Sequence, residues 1–444
     1  MDVGRASSHT SRRTLVLGGV GALALGSTVG GTMLWRSRHA DVPLLSETVA
    51  VESTGSAVAV APGDAATVLP GTRVLRRAPG AAALAVDEQR WLDSGSAWTH
   101  SAGTTGDLAR GALLDLRALT LPSGLPVAGW APAWRYVWPR DCAHVAAALA
   151  ATGHVDEALP SLRFLARVQA ANGSFEARYL PDGSGPPDHR AGQLDGVGWA
   201  LWATARVMDA LPPDRAAALL RELRPMIDRA TDLALSSTRD GHALPPASPD
   251  YWEVAETAVT LGTVAPLAAG LHCAATLYER LGEVDRQRQS ADAAAASTEL
   301  LMERFGAQGF PRHLGADDPD AAIAFVGPPY GPDVPATTAA VARALPGSEI
   351  RMRRPAGGVA PGASWKDDGT SWTPETALLA LAYAGSGRPA DARRMLGWLA
   401  EHRTAAGSLP EKVLHDGRPA AVAPLGWTAS LVLLTLARLE HADG

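Results

Sequence analysis

From about Asp107 onward, apolar and polar positions recur at helical spacing in stretches rich in Ala, Leu and Arg, with Gly, Pro and Asp between them. Residues 107–119, 141–152, 155–172, 193–210, 213–236, 256–281, 284–305, 335–345, 373–386, 389–403 and 425–441 each predict a helix. Strand-like runs are nearly absent among them. Residues 41–105 read differently: Val, Thr, Ser, Gly and Pro dominate, and Val49-Ala50-Val51 and Val58-Ala59-Val60 predict short strands between turns. The pattern gives an all-α domain over 106–444, preceded by a small β-rich or irregular segment over 41–105. Paired helices with alternating short and long loops suggest helical hairpins. Their number fits an (α/α)6 toroid, and it fits other all-α domains of this size as well.

The long connections at 120–141, 173–192, 237–255, 346–372 and 404–426 collect Trp, Arg, Asp, Glu and Gly. Long loops in compact domains are functional or disordered. A disordered loop would not hold so many aromatic residues beside carboxylates.

Composition narrows the function. With 46% hydrophobic and 19% charged residues, the 444-residue chain forms a core. A net charge of −6 argues against a nucleic-acid face. Cys142 and Cys273 are too few for a disulfide framework and lack metal-ligand spacing. Neither a metal nor a cofactor is expected. Thirteen Trp against five Phe suits sugar stacking, because an indole offers a flat apolar face and one N–H donor. Core packing accounts for any single Trp equally well.

Arg12-Arg13 precedes an apolar, Gly-rich run that ends near Trp35. This predicts a twin-arginine export signal over residues 1–40. About 20 residues is also the length of a bilayer core, so residues 15–35 would serve as a membrane anchor if they are not cleaved. The protein is expected outside the cytoplasm, secreted or anchored facing outward. There the two thiols either pair or stay free in the core.

Several segments carry candidate chemistry. In Asp250-Tyr251-Trp252-Glu253 a carboxyl beside aromatic rings would be desolvated and favour its protonated form, as a general acid requires. Acids at a helix N-terminus explain the same residues. Ser408-Leu409-Pro410-Glu411 offers a second carboxyl on another loop, and glycosidic hydrolysis needs such a pair. Trp138-Pro139-Arg140-Asp141 sets a donor fork beside an acceptor, which suits sugar hydroxyls, although Asp141 could equally cap a helix. Asp195 opens a helix that carries Trp199 and Trp202 and is a candidate sugar contact, although core Trp residues with an acid at the helix start explain it as well. Trp365, Asp367, Asp368 and Trp372 form a further polar-aromatic loop.

In order and spacing, "RGALLDLRALTLPSGLPVAGW", "WRYVWPRDCAHVAAALAATGH", "FLARVQAANGSF", "QLDGVGWALWA", "DYWE", "GSLPEKVLHDG" and "APLGWTASLVLLTLARL" resemble the bacterial branch of glycoside hydrolase family fifteen, the glucoamylase family. The resemblance spans about 110–440. It implies an (α/α)6 barrel and exo-acting, inverting cleavage of α-glucosidic bonds without a cofactor. It makes Glu253 the general acid and Glu411 the general base. Arg140 and Asp141 become sugar contacts, and Trp138, Trp252 and Trp427 become pocket aromatics. The chain departs from the family pattern at Val254, where a second acid is common, and at Lys412, where Gln is common. In place of the family's Arg-Tyr-Pro-Glu-Asp loop stands Arg351–Pro355 followed by a Gly-rich stretch, and Arg351 to Trp372 would supply replacement contacts. The expected partner is an oligo- or polysaccharide and the expected state a monomer. Two alternatives stay open: an envelope glycan-binding protein without turnover, and a phosphorylase on a similar barrel.

Overall fold

The computed structural model describes residues 39–101 and 103–443. The twin-arginine segment and the proposed anchor lie outside the described residues. Residues from His39 onward form one compact unit, so the segment 41–105 packs with the helical part instead of standing apart as a domain.

Strands β1 (Thr48–Ser53) and β2 (Ser56–Val60) form the expected antiparallel hairpin. Twelve α-helices follow among the described residues: α1 (Ala81–Asp93), α2 (Thr104–Leu119), α3 (Pro139–Ala151), α4 (Val155–Val168), α5 (Asp195–Ala210), α6 (Pro213–Thr238), α7 (Leu261–Leu281), α8 (Val284–Arg304), α9 (Pro335–Met352), α10 (Thr373–Gly385), α11 (Pro389–Glu401) and α12 (Gly426–Asp443). The short strands β3 (Ser371–Trp372), β4 (Lys412–Val413) and β5 (Pro419–Ala420) make a small antiparallel sheet.

Helix α1 falls where a β-rich or irregular segment was expected. It buries only Glu88 and Leu92, so its apolar stripe is too thin to register as periodicity. Helix α9 runs on to Met352 through Pro346, seven residues past its expected end. Helix α7 begins at Leu261, because residues 250–260 form turns.

The helices make two concentric rings. Helices α3, α5 and α7, the 3-10 turn Ala321–Phe325, α10 and α12 contact one another in sequence, and α12 closes the circle against α3. These inner elements are buried on nearly every side, as core helices apolar all round must be. Outside them lie α4, α6, α8, α9, α11 and α2, each packed on the inner element next to it. One inner position is thus held by five residues of 3-10 turn instead of a helix. Gly327, Pro328 and Pro329 follow it directly and prevent helix from continuing.

Short links such as 152–154, 211–212 and 282–283 join inner helices to their outer partners, whereas α12 packs on α2 from the start of the helical part. The long loops all run from the end of an outer element to the start of the next inner one, so they gather at one end, over the inner N-termini. Close ring packing needs small residues at one crossing. A Cβ on Gly198 of α5 would sit 2.0 Å from the Pro266 carbonyl oxygen of α7. Inside the ring, His144, Trp199, Trp202, Tyr330 and Trp427 pack ring to ring. Burial pushes the imidazole of His144 down to about 3, so it stays neutral. Cys142 and Cys273 are free, buried thiols.

Candidate active site

The loops over the inner N-termini enclose a cavity of about 290 Å³. All five long segments singled out in the sequence contribute to its wall, with Trp134 and Trp138, Arg178 and Arg190, Trp252 and Glu253, Trp365 and Trp372, and Glu411. Arg140 and Asp141 on α3, Glu375 on α10 and Trp427 on α12 complete it.

Glu411 is set by its neighbours along the chain. Buried Asp115 on α2 accepts from Ser408 Oγ at 2.6 Å and from the Leu409 amide at 3.0 Å, and Arg73 pairs with the same carboxylate at 2.7 Å. The Glu411 amide donates to the Val422 carbonyl at 2.8 Å, and its own carbonyl accepts from the Thr373 amide at 3.1 Å. With backbone fixed on both sides, the side chain enters the cavity. Its Oε1 accepts from Trp134 Nε1 at 3.3 Å, while Oε2 makes no hydrogen bond among the described residues. Lys412 Nζ stands 3.6 Å from Oε2. Burial raises the Glu411 carboxyl above the usual range; Lys412 and the Trp134 bond oppose this, and the charge of Glu253 adds to it.

Glu253 sits on a turn built around Asp250. Asp250 is fully buried, accepts from the Trp252 amide at 2.9 Å and from Thr260 Oγ1 at 2.8 Å, and offers its carbonyl to the Glu253 amide at 2.8 Å. Arg312, itself buried, bonds Asp250 at 2.9 Å, Glu256 at 2.6 Å and Asp320 at 3.1 Å, and its guanidinium lies 3.8 Å from the Trp252 ring centre. Glu253 itself takes φ +56°, a left-handed conformation that costs a non-glycine residue about 1–3 kcal/mol.

The surroundings of Glu253 differ from expectation. The Trp252 ring turns toward Arg312 and Trp365. The carboxylate instead receives an ion pair from Arg190 and faces Arg140 Nη2 at 3.6 Å. Its environment is thus two guanidinium groups, and not the aromatic pocket the sequence suggested.

Arg140 and Asp141 lie together at the cavity floor, Nη2 to Oδ2 at 3.1 Å, both nearly fully buried. Asp141 does not cap its helix: Trp138 holds the N-cap position, Pro139 begins the helix, and Asp141 lies inside the first turn. Burial pushes its carboxyl up to about 6. Asp195, expected among the sugar contacts, is not on the wall. It accepts from Trp199 Nε1 at 3.0 Å within the core, where burial pushes it up to about 7. Arg351 is also elsewhere, paired with Asp317 on the surface; Pro361, Trp365 and Trp372 are what this loop brings to the wall.

Sequence reasoning missed Arg178, Arg190 and Glu375. Nothing in the local sequence around the two arginines or Glu375 sets them apart from other charged positions.

The wall has unused hydrogen-bonding capacity. The indole N–H groups of Trp138, Trp252, Trp365, Trp372 and Trp427 make no hydrogen bond among the described residues. Nor, among those residues, do Nε and Nη1 of Arg140, Oε2 of Glu375 or Oε2 of Glu411. Buried polar atoms are nearly always paired, and here the exceptions converge on one cavity. Donors and acceptors interleaved with flat rings are the complement of a polyol.

No family model and no curated protein matches the chain. Solved structures do. A glycosidase matches at TM-score 0.64 and 22% identity, over 76% of this chain and 97% of the other. A bacterial glucoamylase complexed with acarbose matches at TM-score 0.62 and 17% identity, over 79% and 58%. A GH63 mannosylglycerate hydrolase from Thermus thermophilus, in complex with glucose, matches at TM-score 0.53 and 14% identity, over 75% and 99%. The chain therefore has the six-hairpin toroid fold of these glycosidases.

Proposed function

We propose that the protein is a glycoside hydrolase, exo-acting and inverting, directed at an α-linked glucoside of an oligo- or polysaccharide. One observation carries the reading: two carboxyls from loops far apart in sequence share a cavity whose unpaired donors and acceptors match a sugar. The fold, shared with named glycosidases, supports it.

In this reading Glu411 is the base. Its free Oε2 takes a proton from water, and the Trp134 bond with nearby Lys412 favours the anion that a base must be. Glu253 is the acid and protonates the leaving oxygen. Inversion requires about 6.5–9.5 Å between the two carboxyls, enough for one water. Arg140 and Asp141 bind hydroxyls of the terminal sugar and hold the scissile bond between the acids. A cavity of this size seats a terminal residue, not a running chain, which supports exo action.

The Arg190–Glu253 ion pair favours a second reading, sugar binding without turnover, since the arginine occupies the carboxyl that would have to reach the leaving oxygen. Turnover decides between them. Maltose, isomaltose, trehalose and dextrin, with envelope arabinans and galactans beside them, are incubated with the protein, and NMR reads the first-formed anomer. Release of the inverted anomer from an α-glucoside is the expected result. Binding without release would replace the hydrolase reading with the second one.

Outward localisation through a twin-arginine signal, with cleavage or anchoring over residues 15–35, belongs to the same proposal and rests on the Arg12-Arg13 motif.

A further inference from the structure

Glu375 is the third residue of α10, and it reaches the cavity from the inner ring, not from a loop. It is buried, with 3% of its surface exposed, and its Oε2 has no hydrogen-bond partner among the described residues. The charged groups facing it are Glu411 on the sheet-edge loop, Arg140 on α3 and Asp320 at the start of the 3-10 turn. A carboxyl left unpaired in such a place costs folding free energy, and a native fold keeps it only where something else is gained.

Two ionised carboxylates in one dry cavity repel each other. Glu411 is the one pinned by a donor and a cation, through Trp134 and Lys412. Glu375 has neither. It therefore holds its proton, and a protonated carboxyl is a donor as well as an acceptor.

We infer that Glu375 is a substrate-contacting residue that presents a neutral carboxylic acid, through its free Oε2, to a hydroxyl of the monosaccharide unit seated in the cavity. The inference rests on the sugar-binding part of the proposed function and not on turnover. Burial, with Glu411 adding to it, pushes Glu375 up to about 8. The acid thus stays neutral through the neutral range and ionises in mild alkali. Ionisation removes the donor and sets a second anion beside Glu411.

Calorimetric titration with D-glucose, D-mannose and D-galactose tests this without reference to catalysis. The wild-type protein should bind at least one of the three and lose affinity as pH rises through about 8. Glu375→Gln keeps shape, neutrality and a donor. It should bind within about threefold of wild type and lack that alkaline loss. Glu375→Ala should bind roughly tenfold more weakly or worse. Equal affinity in Glu375→Ala, an equal deficit in Glu375→Gln and Glu375→Ala, or no binding by the wild type would each overturn the inference. If Glu375→Ala does not fold, the wild-type pH titration against Glu375→Gln still decides. Glu375-dependent binding with no turnover of any glucoside would sink the hydrolase reading alone.

Discussion

The guanidinium of Arg190 is paired with the carboxylate of Glu253 at the cavity wall. Arg190 is roughly half exposed and reaches Asp188 at 3.4 Å as well, so it can move without disturbing the core. An acid catalyst must reach the leaving oxygen when substrate is bound, and a contacting arginine occupies that carboxyl. Substrate entry is therefore expected to part the two. Arg190→Gln should fold normally, with a melting temperature within a few degrees of wild type. It should turn over faster than wild type. Unchanged turnover would show that the pair is already broken in solution.

Removal of either carboxyl tests the proposed reaction directly. Glu253→Gln and Glu411→Gln keep volume and should each lower kcat by about 10²–10⁴-fold. Melting curves should stay close to wild type. Near-normal turnover in either variant would remove that residue from its role.

Lys412 offers a test with a defined sign. Its charge holds the buried Glu411 carboxyl down against desolvation. Lys412→Met removes that charge, so Glu411 binds its proton more tightly and a base is lost at higher pH. The acidic limb of kcat/KM should move up by roughly one pH unit. A limb that stays in place would mean that Glu411 is not the group it reports.

Stability should fall as pH rises. Asp141, Asp195 and Glu375 are pushed up to about 6, 7 and 8, against ordinary values of 3.8, 3.8 and 4.5. In this window the folded chain holds protons that the unfolded chain has released. Their contribution is complete below the ordinary values and is lost as pH passes through the raised ones. The melting temperature should therefore be higher at pH 5 than at pH 8.5, and Glu375→Gln should flatten part of the slope. A melting temperature that rises across the window would contradict these assignments.

Arg312→Met leaves Asp250 and Asp320, both fully buried, without their shared cation. A loss of about 3–5 kcal/mol is expected, measured by denaturant unfolding. The remaining folded fraction should also lose turnover, because the Glu253 turn is built on Asp250.

The rings and their loops were legible because inner and outer helices repeat a strong pattern and the loops break it with Gly and Pro. The hairpin at Val49–Val51 and Val58–Val60 showed for the same reason. Helix α1 did not, since one buried leucine and one buried acid make no stripe. Glu253 and Glu411 could be picked out because each stands in a short aromatic or proline-bearing motif. Asp195 was misplaced: an acid at a helix start looks the same whether it faces a ligand or an indole four residues on. Arg190 and Glu375 have meaning only through partners distant in the chain, and no local pattern records those.

One guanidinium, that of Arg312, ties the turn bearing Glu253 to Asp320, which begins the shortest member of the inner ring. Chemistry and architecture therefore share a fastener. Damage to the barrel wall near Ala321–Phe325 would surface as an enzymatic defect with no altered residue in the cavity. Anyone transplanting the loop into another scaffold would have to carry both anchoring points along with it.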